Sequence, residues 1–322
     1  MENTKRGRNA LRPGSITLTG WKDIFFRVKD KLTEDNLTIV AAGVAFYALL
    51  AIFPAIGALV ATYGIVSDPG QVQQQIAALS GILPQQGMEI LQNQLERLSE
   101  DTGGALSLGV VAGILFSLGS SAKGMKAFIT GLNIVYGEEE RRGFIAINIT
   151  ALLLTVGAII FVVISLGFIV VFPAVLNIFG LSSVAEKLTS FLRWPLLGLF
   201  VVMGLGLLYR YAPYRSRPKF KWLSWGAVVA TILWMVVSML FSLYVSYSNT
   251  YNETYGSIGA IIILLMWFFI SALAVLLGAE LNAEMEHQTK KDTTTGAPQP
   301  RGDRGAHVAD TIGRKHSSSS TT

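Results

Sequence analysis

Six stretches of this chain carry no charged side chain: Asn36–Ser67, Thr102–Ala122, Gly143–Ser183, Trp194–Tyr209, Trp222–Asn252 and Thr254–Ala279. The hydrocarbon core of a bilayer is about 30 Å thick, and a helix needs about 20 apolar residues to cross it. Inside lipid every backbone N–H and C=O must find a partner within the protein, which leaves helices and closed barrels. Uninterrupted apolar runs of this length select helices. Trp194–Tyr209 is the shortest and gains length if Phe191 and Leu192 are counted with it. The expected fold is therefore all-α: a polytopic transmembrane helical bundle of about six spans, with short amphipathic interfacial helices. The spans are expected near 37–66, 104–122, 145–176, 191–209, 223–247 and 257–282.

The remaining residues leave no room for a large soluble domain. Only 15% of the 322 residues are charged, against about 25% in soluble domains. Three regions result: a basic tail with an amphipathic helix over 1–35, a membrane domain over 36–284, and a flexible tail over 285–322. The first long apolar run begins only near Leu37, too late for a secretory signal peptide.

Charge placement gives sidedness. Lys and Arg concentrate on the cytoplasmic side of membrane proteins. With the N-terminus inside, segments 1–35, 123–143, 210–221 and 284–322 hold 23 of the 26 Lys and Arg. Only Arg97, Lys187 and Arg193 fall outside. Six spans with both termini cytoplasmic satisfy this alternation. Tyr209, Tyr211, Tyr214, Trp222 and Trp225 flank one inner loop, where half-wet rings favour the headgroup level.

Two regions outside the spans have helical periodicity. Trp21, Ile24, Phe25, Val28 and Leu32 form a stripe, with Lys22, Arg27, Lys29 and Lys31 elsewhere. Such a helix suits the membrane interface or the protein's own inner face. Segment 68–103 reads as two short helices broken at Pro84, capping the outer mouth and offering a surface to an envelope protein partner.

Chemistry-bearing residues are few. There is no cysteine, and His287, His307 and His316 all lie in the tail. No nucleophile elbow, HExxH or phosphate loop is present, so no metal or cofactor is expected and no catalytic residue is assigned. Glu280 closes the apolar run from Ile258 to Leu277, and ionisable groups at such positions are often functional. Lys123 and Lys126 follow the second span, where a bend into a short interfacial helix bearing Asn133 is expected. Glu280, Asn282, Lys123, Asn133 and Arg210 are candidates for a substrate-binding cluster for anionic lipid headgroups. Pro54 and Pro173 are candidate helix kinks. The Arg210–Trp222 loop interleaves cations with aromatics, but any short inner loop beside a bilayer looks the same, and nucleic acid is not expected as a partner.

Five strings occur in order: Ala42–Leu49 leading to Phe53-Pro54, Leu132–Tyr136, Tyr209–Pro213, Tyr255–Gly259 and Gly278–Ala283. Together they resemble the YihY/BrkB family of bacterial inner-membrane proteins, over roughly residues 20–285. The resemblance implies six spans in the plasma membrane and a link to envelope lipid export. It also brings a ribonuclease label, for which Glu138, Glu139 and Glu140 are the only dense acidic group on the inner side. The leading expectation is a transporter or flippase-like protein for a lipid or other amphiphile. An envelope scaffold without transport and a tRNA-processing ribonuclease are the alternatives.

Overall fold

The computed structural model describes residues 6–64, 108–178, 182–247 and 250–315. The expected helices over 68–103 lie outside the described residues. Helix α1 spans Leu18–Glu34, α2 Leu37–Gly64, α3 Leu108–Tyr136, α4 Phe144–Ile178, α5 Ser182–Tyr211, α6 Phe220–Tyr247, α7 Thr250–Gln288 and α8 His307–Asp310. Among the described residues there is no strand, only one antiparallel bridge between Pro218 and Thr294.

All six uncharged stretches supply a long helix. Phe144–Ser165, Phe220–Ser246 and Ile261–Gln288 are each long and apolar enough to cross a membrane. Helices Leu18–Glu34 and Leu37–Ile52 pass the same test as a pair bent by 64°. The bend falls at Asn36, whose φ of 49° is a left-handed conformation that asparagine tolerates better than most residues. Pro54 and Pro173 lie within the helical backbone of α2 and α4, which continues past both.

Helices α2 to α7 pack in sequence order, and α7 closes the ring against α2 while also touching α3. Outward-facing Leu115, Phe116, Leu153, Ile164, Ile232 and Met239 are exposed, as lipid-facing side chains must be. Small residues hold the tightest seam, between α6 and α7. A Cβ on Gly278 would come within 2.5 Å of Ala230 Cβ and 2.6 Å of Gly226 O. Lipid gives apolar helices little hydrophobic reason to associate, so this close backbone approach supplies the attraction. Asn282 Oδ1 accepts the Gly226 N–H at 2.9 Å across the same seam.

Two expectations change. The second span does not bend after Lys123: α3 is one helix to Tyr136. Its Ile129, Leu132, Val135 and Tyr136 are buried in the bundle core rather than lying along a membrane surface. The tail also packs through residue 315 in place of a loose end; Thr293, Thr294, Val308 and Ala309 are all buried. Helix α1 turns one face to the protein and one outward. Ile24 is buried with Met285 and Trp222, whereas Phe25 stays 67% exposed.

Candidate functional site

The first and last described segments, 6–17 and 289–315, meet loops 137–143 and 212–219 at one end of the bundle, called here the terminal face. Two buried ion pairs fasten it. Arg215 grips Glu286 with two hydrogen bonds, of 3.1 and 2.7 Å, and both side chains are 0% exposed. Thr293 Oγ1 donates to the same carboxylate at 2.5 Å, and the Arg215 guanidinium lies 4.8 Å from the Tyr136 ring centre. A buried bidentate pair tolerates desolvation only when its remaining lone pairs are satisfied, and Thr293 does that. The second pair joins Arg27 of α1 to Glu284 of α7. Glu284 also meets His287 Nδ1 at 3.1 Å, and His287 Nε2 meets Thr311 Oγ1 at 2.8 Å. Arg8 donates to Gly313 O at 2.9 Å, tying the N-terminal segment to the tail.

Beneath the tail lies a cavity of about 1200 Å³. Thr150, Leu153 and Leu154 of α4 line one side of it, and loop and tail residues of mixed polarity line the rest. Five arginines line it, but not all present charge to the interior. Arg215 is neutralised by Glu286, and Arg142 by Glu140 at 2.6 Å. Arg141 sits 3.3 Å from Glu139 at the exposed rim. Two cations remain, and they share one ring: Arg210 and Arg217 lie 5.8 and 5.0 Å from the centre of Tyr211. Arg210 also donates to Pro218 O at 2.6 Å and covers Phe220 at 4.1 Å, while its Nε is buried without a partner.

The acidic residues gather elsewhere in the cavity. Glu138 Oε1 accepts the His307 N–H at 2.8 Å, and Asp310 follows in the same short helix. Burial pushes the Glu138 carboxyl above the usual carboxylate range, and the nearby Asp310 charge adds to the shift. Burial and the neighbouring His287 lower the His307 imidazole. Gly137, at φ +66°, ends α3 in the left-handed turn that glycine favours. A Cβ there would meet His307 at 2.8 Å, so the absent side chain also lets the tail approach.

The sequence candidates separate. Arg210 lines the cavity. Asn133 joins the two loops: its Nδ2 donates to Glu140 at 3.0 Å, and its Oδ1 accepts the Tyr214 N–H at 2.8 Å. Burial opposes charge on Glu140, but Arg142 and Asn133 hold its carboxyl below the usual range. Lys123 is exposed partway along α3, thirteen residues before its end. Glu280 is 1% exposed, and its Oε2 has no hydrogen-bond partner. Asn282 is spent on the α6–α7 seam. Glu138, Asp310, His307 and Arg217 were missed. Glu138 had signalled only as part of an acidic run and Arg217 only as part of the basic-aromatic loop, while His307 and Asp310 become cavity residues through the folding of the tail.

A second hollow, of about 310 Å³, opens between α2, α3, α4 and α7. Ala51, Phe128, Ile159 and Phe268 line it, with Ser121 and Thr155 as its polar members. Helix α4 borders both hollows.

The profile of the family described as virulence factor BrkB matches residues 28–303. A putative ribonuclease-like protein of Bacillus subtilis, YfkH, is 32% identical over 257 residues, covering 78% of this chain and 90% of the relative. A UPF0761 membrane protein of Idiomarina loihiensis is 26% identical, covering 85% of this chain and 92% of that one. Another, from Photobacterium profundum, is 27% identical over 83% of this chain and 82% of its own length. No solved structure matches the chain. The chain belongs to the BrkB family and is a membrane protein.

Proposed function

We propose that this BrkB-family membrane protein moves a lipid or similar amphiphile between the leaflets of the bacterial plasma membrane, as a transporter or flippase-like protein. The observation that carries the reading is the terminal-face cavity. Its wall bears Arg210 and Arg217, while one side of it is Thr150, Leu153 and Leu154 of a helix that also faces lipid. A chamber of mixed polarity bordered by an apolar helix suits a molecule with a charged head and a hydrocarbon tail. The terminal face is assigned to the cytoplasm because it carries most of the chain's cations. Six spans and two cytoplasmic termini follow from the same distribution. Of the sequence candidates, Arg210 is retained in the site.

The ribonuclease-like name of the Bacillus relative has less to rest on here. Among the described residues no group of three or more His, Asp or Glu is arranged to hold a metal ion.

The test is reconstitution in liposomes carrying a fluorescent phospholipid. A membrane-impermeant quencher reports how fast inner-leaflet lipid becomes accessible. Faster exchange than in protein-free liposomes supports the reading. The protein-free rate with phospholipids of several headgroups overturns it.

A further inference from the structure

The cavity is dipolar rather than simply basic. Pairing removes Arg215 with Glu286, Arg142 with Glu140, and Arg141 with Glu139. What remains is two cations around Tyr211 and two carboxylates around His307. The cation pole belongs to the end of α5 and the loop after it. The anion pole belongs to the loop after α3 and to α8. The two poles come from different segments of chain and line one chamber. A site for a simple anion would place carboxylates elsewhere, since like charges in a part-buried chamber repel the ligand.

From this placement we infer that the cavity binds a zwitterionic headgroup carrying a phosphate ester and a primary ammonium: Arg210 and Arg217 take the phosphate, and Glu138 and Asp310 take the ammonium. Guanidinium groups present several donors to phosphate oxygens. Arg210 still has a buried Nε without a partner, and Arg217 has a ring contact as its described side-chain interaction. Glu138 uses Oε1 for His307 N–H, and Asp310 uses Oδ1 for Gly302 and Arg304 N–H, so each keeps a second oxygen as acceptor. The acyl portion then lies along Leu153 and Leu154, where α4 meets lipid. This specifies the headgroup class for the chamber on which the proposed function rests.

Binding separates this inference from translocation. The purified full chain is titrated with dihexanoyl phosphatidylethanolamine, dihexanoyl phosphatidylglycerol and inorganic phosphate by isothermal calorimetry. The ethanolamine lipid is expected to bind about tenfold more tightly than the glycerol lipid or phosphate. Arg210→Gln with Arg217→Gln, and separately Glu138→Gln with Asp310→Asn, should each weaken it about tenfold. Equal or tighter binding of the glycerol lipid would overturn the dipolar assignment. Equal binding of phosphate alone would make this a site for the free anion and overturn the lipid headgroup. The comparison of ligands on the unmodified protein decides the matter even where a variant fails to fold. Ethanolamine-lipid binding without leaflet exchange would retain the headgroup site and remove the transport reading.

Discussion

The α6–α7 seam and the tail-built cap are both buried, and they are held by opposite means. The seam relies on the absence of side chains: Gly226, Ala230 and Gly278 bring two backbones together, with one amide from Asn282 across the gap. The cap relies on their presence: Glu286, itself held by Arg215, accepts from Thr293, His287 meets Thr311, and Arg27 and Arg8 donate to the carbonyls of Arg314 and Gly313. The seam's contacts lie between neighbouring helices and involve no ionised group. The cap joins residues as far apart as Arg8 and Gly313, 305 positions along the chain. The difference matters for function, because the cap roofs the cavity and the seam does not.

Breaking the cap at its most buried point has the largest expected effect. Glu286→Gln leaves the Arg215 charge buried without its counter-ion, and removing one partner of such a pair removes about 3–5 kcal/mol. The loss should appear locally, as rapid proteolysis of residues 289–315, while the bundle keeps its helical circular dichroism. Replacing both partners, with Arg215→Met and Glu286→Leu, should be milder. If the single variant unfolds the bundle along with the tail, cap and seam are one cooperative unit and the contrast fails.

Breaking the seam comes next. In Gly278→Val the new Cβ would meet Ala230 Cβ at 2.5 Å, Gly226 O at 2.6 Å and Tyr209 Oη at 2.7 Å. Overpacking of this kind removes about 1–3 kcal/mol, and more when backbone must move. The outcome is a lower unfolding temperature in detergent for the whole bundle. An unchanged temperature would mean that the seam's close approach contributes little.

The smallest effect is pH dependence of the cap. His307 has its pKa lowered by burial and by His287, so the docked tail binds fewer protons there than the released tail. Docking is fullest above the ordinary histidine value of 6.5 and weakens as pH falls from that value towards the lowered one. Glu138 is shifted upward and acts in the opposite sense, favouring the folded form as pH falls. The histidine contribution is therefore read as the difference between the unmodified chain and His307→Gln in tail protection against proteolysis. The difference should open on acidification; a constant difference would remove His307 from the balance.

The helical membrane architecture was legible because its cause is local. A run without charge, long enough to cross a bilayer, admits few structures, and Ala151–Val171 or Trp222–Tyr247 declare themselves by composition alone. The path of the chain after Lys123 was not, because two lysines resemble an end of a span whether or not the helix continues. The site was legible only at Arg210. Glu280 drew attention as an acid near an apolar run, yet it is buried in the bundle rather than exposed in the cavity. His307 and Asp310 come to line one cavity with Arg217 and Glu138 only when a Gly- and Thr-rich tail folds back, which depends on distant partners such as Arg8.

The most direct test compares leaflet exchange in liposomes for two variants of the full chain. The proposed working charges lie in the roofed cavity and not in the bundle core. Arg210→Gln with Arg217→Gln should therefore slow exchange about tenfold or more, while Glu280→Gln keeps most of the unmodified rate. Near-normal exchange in the arginine variant together with loss in Glu280→Gln, both inserted and folded, would contradict it and move the site to the interior of α7.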